Sequence, residues 1–98
     1  MKEVIPLSKT IQAHGEDVTQ LELRRPTVVE VRQLKALPYR LDAEDAVSLD
    51  MDVAAKYIAV CGHIPPSSVN QLDISDLNTA AWVVARFFLM PESATLTA

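Results

Sequence analysis

The C-terminal part of the chain carries the strongest hydrophobic pattern. An almost uninterrupted apolar run extends from Ala80 to Met90 and is broken only by Arg86. Apolar residues recur at helical spacing, which predicts an α-helix that starts near residues 73–75 and ends before Pro91. Further apolar residues lie on the other sides of this helix, so it needs more than one partner surface.

The faces of this last helix leave two alternatives open. Trp82 and Phe87 lie roughly 140° apart at about 100° per residue, so they cannot serve one narrow face. Either the helix is buried on two sides within the monomer, or one side is an interface with another chain. We predict that the apolar residues of this segment bind a partner, and they are Leu77, Trp82, Val84, Phe87, Phe88 and Met90.

A different pattern near the N-terminus predicts a β-hairpin. Gly15 lies between two segments of strand character, and in the second one Val18, Leu21 and Leu23 alternate with polar residues. Pro6 in the first segment cannot donate a ladder hydrogen bond. That strand should therefore be an edge strand or contain an irregularity.

The first helix after the hairpin has a marked start. Thr27 and Glu30 have the spacing of a capping box, in which each side chain accepts a hydrogen bond from the other residue's backbone. Its apolar stripe would contain Val28, Val31, Leu34 and the further candidate Leu37. Pro38 should end this helix, which is therefore on the order of three turns long.

Residues 39–50 are acidic and irregular in pattern, and we predict a linker that can contain helical turns. A second helix is predicted over residues 51–62, with Asp50 or Ser48 as its N-cap and Gly62 at its end. Its apolar face would contain Met51, Ala54, Ala55, Ile58 and Ala59.

These elements predict an α+β fold that is mostly helical. Two consecutive prolines fix their backbone, so residues 63–68 should form a rigid turn. We expect one domain over residues 1–98, with the β-hairpin in 1–25 and three main α-helices in 27–90. Residues 91–98 would be a flexible tail.

Composition narrows the classes of function. The chain has 98 residues, of which 49% are hydrophobic and 22% charged, as in one compact globular domain. A net charge of −4 supplies no basic field for nucleic acid. The longest apolar run is about half of the roughly 20 residues that a membrane-spanning helix needs, and no secretory signal is visible. We therefore predict a cytoplasmic protein without nucleic-acid or membrane partners, and the single cysteine fits a reducing compartment.

Few residues suggest catalysis or metal binding. Cys61 and His63 are near neighbours, but with His14 they supply fewer ligands than a zinc site normally collects, and no third group orients a nucleophile. The acidic residues after the first helix lack the glycine and terminal glutamate of a calcium loop, and they are Asp42, Glu44, Asp45, Asp50 and Asp52. We predict no catalytic, cofactor or metal site, and no enzymatic activity.

Four other charged residues are expected to have structural roles. Asp73 and Asp76 flank the start of the last helix, where a carboxylate can accept hydrogen bonds from free backbone amides. Arg24 and Arg25 are adjacent at a strand end and should point to opposite faces. We expect one of them to lie on the surface and the other to pair with an acidic group.

Three segments of the chain, taken in their order along the sequence, resemble those of a known protein family. They are Leu21-Glu22-Leu23-Arg24 running into Arg25-Pro26-Thr27, the helix end Ile58-Ala59-Val60-Cys61-Gly62, and Leu72-Asp73-Ile74-Ser75-Asp76-Leu77 leading into Val84-Ala85-Arg86-Phe87-Phe88-Leu89. The chain resembles the small tail assembly chaperones of Mu-like and P2-like contractile-tailed phages and prophages. The resemblance extends from the hairpin to Phe88.

The resemblance implies a protein that binds the long helical tape measure protein and keeps it soluble until tail tube subunits assemble around it. It also implies that a ribosomal frameshift can append a domain that recruits tube protein. Surplus apolar surface on the last helix further predicts a homo-oligomer. Two alternatives stay open, namely a structural or adaptor subunit of the tail and a small regulatory or antitoxin-like protein.

Overall fold

The computed structural model describes residues 2–90 of the chain as four strands and four helices. Helix accounts for 44% and strand for 30% of these residues, so helix is the larger class without being most of the fold. The predicted tail, 91–98, lies outside the described residues. In chain order the elements are β1 (Lys2–Ala13), β2 (Glu16–Arg24), α1 (Val28–Leu34), β3 (Tyr39–Leu41), β4 (Val47–Leu49), α2 (Met51–Gly62), α3 (Pro66–Val69) and α4 (Ile74–Leu89).

The predicted N-terminal hairpin is confirmed. Strands β1 and β2 pair antiparallel, and the two-residue turn between them consists of His14 and Gly15. Both residues have positive φ, at 55° and 77°, which is the backbone of the turn type that matches strand twist in a tight hairpin. Glycine at position 15 adopts this conformation without the steric cost that a Cβ atom would add.

The irregularity predicted from Pro6 is also present. Pro6 is opposite Gln20, but the next pair along the ladder is Ile11 with Val18, so residues 7–10 bulge out against a single residue of β2. The bulge changes which positions of β2 face the core. Val18 and Leu21, three positions apart, both turn inward, although strict alternation would place them on opposite faces.

The bulge is held by the start of α4. The backbone N–H and the hydroxyl of Ser8 both donate to Asp76 Oδ2 at 2.9 Å. Nearby, Gln12 N–H donates to Gln71 Oε1 at 2.8 Å, and Ser68 Oγ donates to Gln12 O at 2.6 Å. Side chains thus occupy backbone groups on the outer edge of β1, and the structural role predicted for Asp76 is confirmed.

Helix α1 starts as predicted and ends early. The capping box is formed, with Glu30 N–H donating to Thr27 Oγ1 and Thr27 N–H donating to Glu30 Oε1. The last helical residue is Leu34, because Lys35 adopts a left-handed conformation with φ at 56°. The prediction that the helix continues to Pro38 is wrong, and Val28, exposed at its first position, does not join a buried stripe.

Residues 39–50 form a small second hairpin, so the prediction of a linker is wrong. Strands β3 and β4 pair antiparallel from Tyr39 opposite Leu49 to Leu41 opposite Val47. Asp42 shapes the turn by accepting hydrogen bonds from the backbone of Glu44 and Ala46 at 2.8 and 2.9 Å. Strands of three residues are too short to show alternation in a sequence.

Helix α2 confirms the second predicted helix, with Asp50 as its N-cap. The helix ends at Gly62 as predicted, and His63 takes the left-handed position that follows it, with φ at 54°. Gly62 is still helical. A Cβ atom there would lie 3.2 Å from Leu23 Cδ2, so glycine allows close packing of α2 on β2.

The predicted rigid turn over residues 63–68 is partly replaced by the one-turn helix α3. Pro66 is its first residue, a position where the missing N–H has no helical acceptor to lose. Helix α3 and the following turn lead directly into α4, whose bounds agree with the prediction.

The core lies between the hairpin and α4, with α2 covering the remaining side. Helix α4 packs against β1, α2 and β4, while α2 packs against β2 and α3. The largest fully buried apolar side chains are Tyr57, Ile11, Leu21, Leu23, Ile58 and Val84. The last helix therefore lies at the centre of this small protein.

Candidate functional site

The structure shows which sides of α4 are covered within the chain. Most of its apolar residues are buried within the chain, namely Ala80, Ala81, Val83, Val84, Ala85 and Phe87. One face stays open, on which Trp82 is 42% and Leu89 is 44% exposed. These two residues are seven positions apart and so lie on the same stripe of the helix. Helix α4 is therefore buried on two sides within the monomer and exposed on a narrow third.

The six predicted partner-binding residues fall into different environments. Val84 is fully buried in the core, Leu77 is half-buried, and Trp82 and Met90 are exposed. Phe87 and Phe88 line one pocket near the end of the helix. The structure therefore brings two of the six residues together in a cavity and places Trp82 elsewhere.

We name this cavity the α1–α4 pocket. It has a volume of about 270 Å³ and is lined by Pro26, Val28, Val31, Arg32, Phe87 and Phe88. Edge-to-face contacts fix the ring of Phe88, whose centroid lies 5.1 Å from that of Tyr57 and 6.3 Å from that of Tyr39. The β3–β4 hairpin, which supplies Tyr39, thus orients one wall of the pocket.

Arg25 supports the same end of α4. Its Nη2 donates to Phe87 O at 2.6 Å and to Met90 O at 3.0 Å, and its guanidinium lies 5.7 Å from the centroid of the Phe87 ring. A cation at the last carbonyls of a helix also complements the helix dipole. The buried Nη1 atom has no hydrogen-bond partner within residues 2–90. Arg25 is therefore a half-buried helix cap, contrary to the expectation that it lies on the surface or pairs with an acid.

Arg24 makes the predicted pair with an acidic group. Its two terminal nitrogens donate to the two carboxylate oxygens of Glu30 at 2.8 and 2.7 Å. This bidentate contact, together with the backbone N–H of Thr27, lowers the pKa of Glu30 to about 2. Helix α1 buries none of its residues. This ion pair is the main polar contact that attaches it to the β1–β2 hairpin.

A second, larger groove lies along α2, and the sequence did not predict it. We name it the α2 groove. Its volume is about 410 Å³, and its lining residues are Leu34, Ala55, Lys56, Ala59, Val60, Ile64, Pro66, Val69 and Asn70. One feature of the sequence could have indicated this groove, because the apolar face predicted for α2 is wider than the part that packs in the core. Ala54 and Ile58 pack in the core, whereas Ala55 and Ala59, one position further on, face the groove.

The residues considered for chemistry make structural contacts. His14 Nε2 donates to His63 O at 2.9 Å, and His63 Nε2 accepts from Arg24 Nε at 3.4 Å. Cys61 is fully buried, and burial raises the pKa of its thiol to about 11, which disfavours the reactive thiolate. Within residues 2–90 no three histidine, cysteine or acidic side chains are grouped so as to hold a metal ion. The helices of that part of the chain also include none that is long and apolar enough to cross a membrane.

Comparison with known protein families gives a match over most of the chain. Residues 4–89 match the family described as phage tail assembly chaperone proteins, E, or 41 or 14. The match includes the hairpin and all four helices of the described residues. Neither the comparison with curated proteins nor the comparison with solved structures gave a match.

Proposed function

The chain belongs to the phage tail assembly chaperone family, and from that premise we propose that it binds the tape measure protein of its phage. In this proposal it acts in the cytoplasm of the bacterial host, keeps the tape measure protein soluble and supports tail tube assembly. It works by binding alone. The observation that carries the proposal is the apolar surface at the junction of α1 with the end of α4, around the α1–α4 pocket.

This junction exposes more apolar surface than a small monomer needs. Val28, which lines the α1–α4 pocket, is 74% exposed although it belongs to the first turn of a helix next to the core. Met90 is 40% exposed and directly follows α4. Exposed apolar residues that surround a pocket are typical of a protein-binding site.

A helix is the form of client that fits such a surface. An amphipathic helix can place apolar side chains at successive turns into a pocket lined by Val31, Phe87 and Phe88. The surrounding exposed residues, Val28 and Met90, would exclude water from that contact. Of the residues predicted from sequence, the proposed surface therefore retains Phe87, Phe88 and Met90.

The test compares two adjacent valines. Val28→Asp and Val29→Asp make the same chemical change in the first turn of α1, where a carboxylate favours the helix dipole. Only Val28 lines the α1–α4 pocket. On co-expression we expect the wild-type protein to raise the soluble yield of the tape measure protein. Val28→Asp should lower capture by about tenfold, as for loss of a central apolar contact, and Val29→Asp should lower it much less.

Both variants need to be folded for the comparison to count. Each position is exposed, so melting temperatures should stay near that of the wild type. Phe88 is unsuited to the test because its ring packs against Tyr57, and a charge there would disturb the core. Equal capture by the two variants would remove the α1–α4 pocket from the proposed interface. Failure of the wild-type protein to change tape measure solubility would contradict the proposed function.

A further inference from the structure

The α2 groove combines an apolar floor with a cationic rim. Its floor comes from three helices, with Leu34 at the end of α1, Ala55 and Ala59 on α2, and Val69 on α3. Ala55 and Ala59 are one helical turn apart, and small side chains at this spacing allow a second helix to approach near the lower limit of about 8 Å between axes. The volume of about 410 Å³ lies within the range of protein sites that enclose a ligand group.

The charges around this groove differ from those of the chain as a whole. The chain has a net charge of −4, yet among the described residues 2–90 the only charged side chain in the lining is Lys56. Within residues 2–90 its ammonium group forms no ion pair, although Asp52 precedes it by one turn of α2. A second cation, Lys35, is exposed and directly follows Leu34 of the lining.

We infer that the α2 groove binds an amphipathic helix of the tape measure protein whose apolar stripe is flanked by carboxylates. The identity of the client rests on the proposed function, while its chemistry rests on the groove. Apolar side chains of such a helix fill the floor, and its carboxylates pair with Lys56 at the rim. The groove is distinct from the α1–α4 pocket, although Val31 of the pocket and Leu34 of the groove are one turn apart on α1.

A second copy of the chain fits the α2 groove less well than an amphipathic helix flanked by carboxylates. The exposed stripe of α4, with Trp82 and Leu89, is the helical surface that a copy would offer. Arg86 lies between these two residues on the same face and is exposed. Seating that stripe in the groove would bring Arg86 to a rim that already carries Lys56, and like charges disfavour such a contact.

The inference is tested with two designed helical peptides that share one leucine and alanine stripe. In one peptide the stripe is flanked by glutamates, and in the other by lysines. Binding to the full-length protein is measured by fluorescence anisotropy at low salt. We expect the glutamate peptide to bind about fivefold more tightly or better, with a preference that shrinks in about 1 M salt because exposed charges are then screened.

Two substitutions and one control locate the binding. Lys56→Glu should abolish or invert the preference for the glutamate peptide, whereas Lys9→Glu, the same change on the β1 bulge, should preserve it. Ala59→Leu fills the groove and should weaken both peptides. Equal binding of the two peptides, no binding of either, or equal effects of Lys56→Glu and Lys9→Glu would overturn the inference.

A co-expression arm separates this inference from the proposed function. If the wild-type protein solubilises the tape measure protein and the Lys56→Glu and Ala59→Leu variants do so equally well, the groove is not the client site while the function stands. If the wild-type protein does not solubilise it, the proposed function fails and the peptides still decide the chemistry of the groove. Loss of self-association in Ala59→Leu, without any preference between peptides, would assign the groove to a second copy instead.

Discussion

Helices α4 and α1 are both rich in apolar residues, but they differ in how many of those residues are buried. Helix α4 buries seven of its residues, including Ala80, Val84 and Phe87. Helix α1 buries none, although Val28, Val29, Val31 and Leu34 make up more than half of its seven residues. The more apolar helix is thus the better covered one, and the shorter helix leaves its apolar surface free.

The difference follows from what surrounds each helix. The β1–β2 hairpin, α2 and β4 all pack on α4, so most of its apolar residues other than the exposed stripe of Trp82 and Leu89 have a partner within the chain. Helix α1 touches the core through half-buried Val31 and Leu34 only, and the Arg24–Glu30 ion pair holds its start. Apolar content alone does not identify an interface, because it also marks the helix around which a small domain is built.

The largest expected effect is a difference in the free energy of unfolding between substitutions of one valine in each helix. Val84→Ala removes two methyl groups from a fully buried site and should lower the free energy of unfolding by about 2 kcal/mol. Val28→Ala removes the same atoms from an exposed site and should change it by less than about 0.5 kcal/mol. Urea denaturation of both variants measures the contrast. Similar losses at the two sites would mean that α1 packs more tightly than its exposure indicates.

A smaller effect is expected from the ion pair that attaches α1. The pKa of Glu30 is lowered from 4.5 to about 2 in the folded chain, so the unfolded chain binds the proton first as pH falls. The carboxylate therefore contributes stability above pH 4.5, and this contribution is lost as pH falls towards about 2. Allowing for partial exposure, it is about 1–2 kcal/mol.

Glu30→Gln measures this contribution directly. The variant should be less stable than the wild type near neutral pH, and the gap should close as pH falls from 4.5 towards about 2. Asp52→Asn is a suitable control, because Asp52 is also an acidic residue in the first turn of a helix but has no ion pair within residues 2–90. A gap between wild type and Glu30→Gln that does not depend on pH would show that Arg24 does not stabilise the charged form.

Local signals in the sequence predicted the parts of the fold that depend on a few adjacent residues. Gly15 marked the hairpin turn, Pro6 the bulge, and Thr27 with Glu30 the start of α1, because each acts on its own backbone or on the backbone a few residues away. The β3–β4 hairpin was missed because it depends on Asp42, whose side chain accepts two backbone hydrogen bonds within a short acidic segment. An acidic residue in such a segment looks the same whether it shapes a turn or is only solvated.

Exposure was harder to predict than structure, because it depends on how elements pack. Trp82 and Val84 are two positions apart on an apolar helix, yet one is exposed and the other fully buried. The α2 groove needs Leu34 and Val69, which are distant in sequence, to meet beside Ala59. Periodicity identifies the faces of a helix and not which neighbour covers them.

The smallest predicted effect is self-association through the exposed stripe of α4. Trp82 and Leu89 present two large side chains on one face, which supports only a small interface and hence a weak dimer. Sedimentation equilibrium should show dimers at high micromolar concentrations of the wild-type protein. Trp82→Gln should abolish them, whereas Ile74→Gln, at an 84% exposed site at the start of the same helix, should not. Added salt should favour the dimer, because pairing this face with itself brings the Arg86 side chains together. A wild-type protein that stays monomeric throughout would mean that α4 serves the monomer alone, and that the apolar surface available to partners belongs to α1 and the α2 groove.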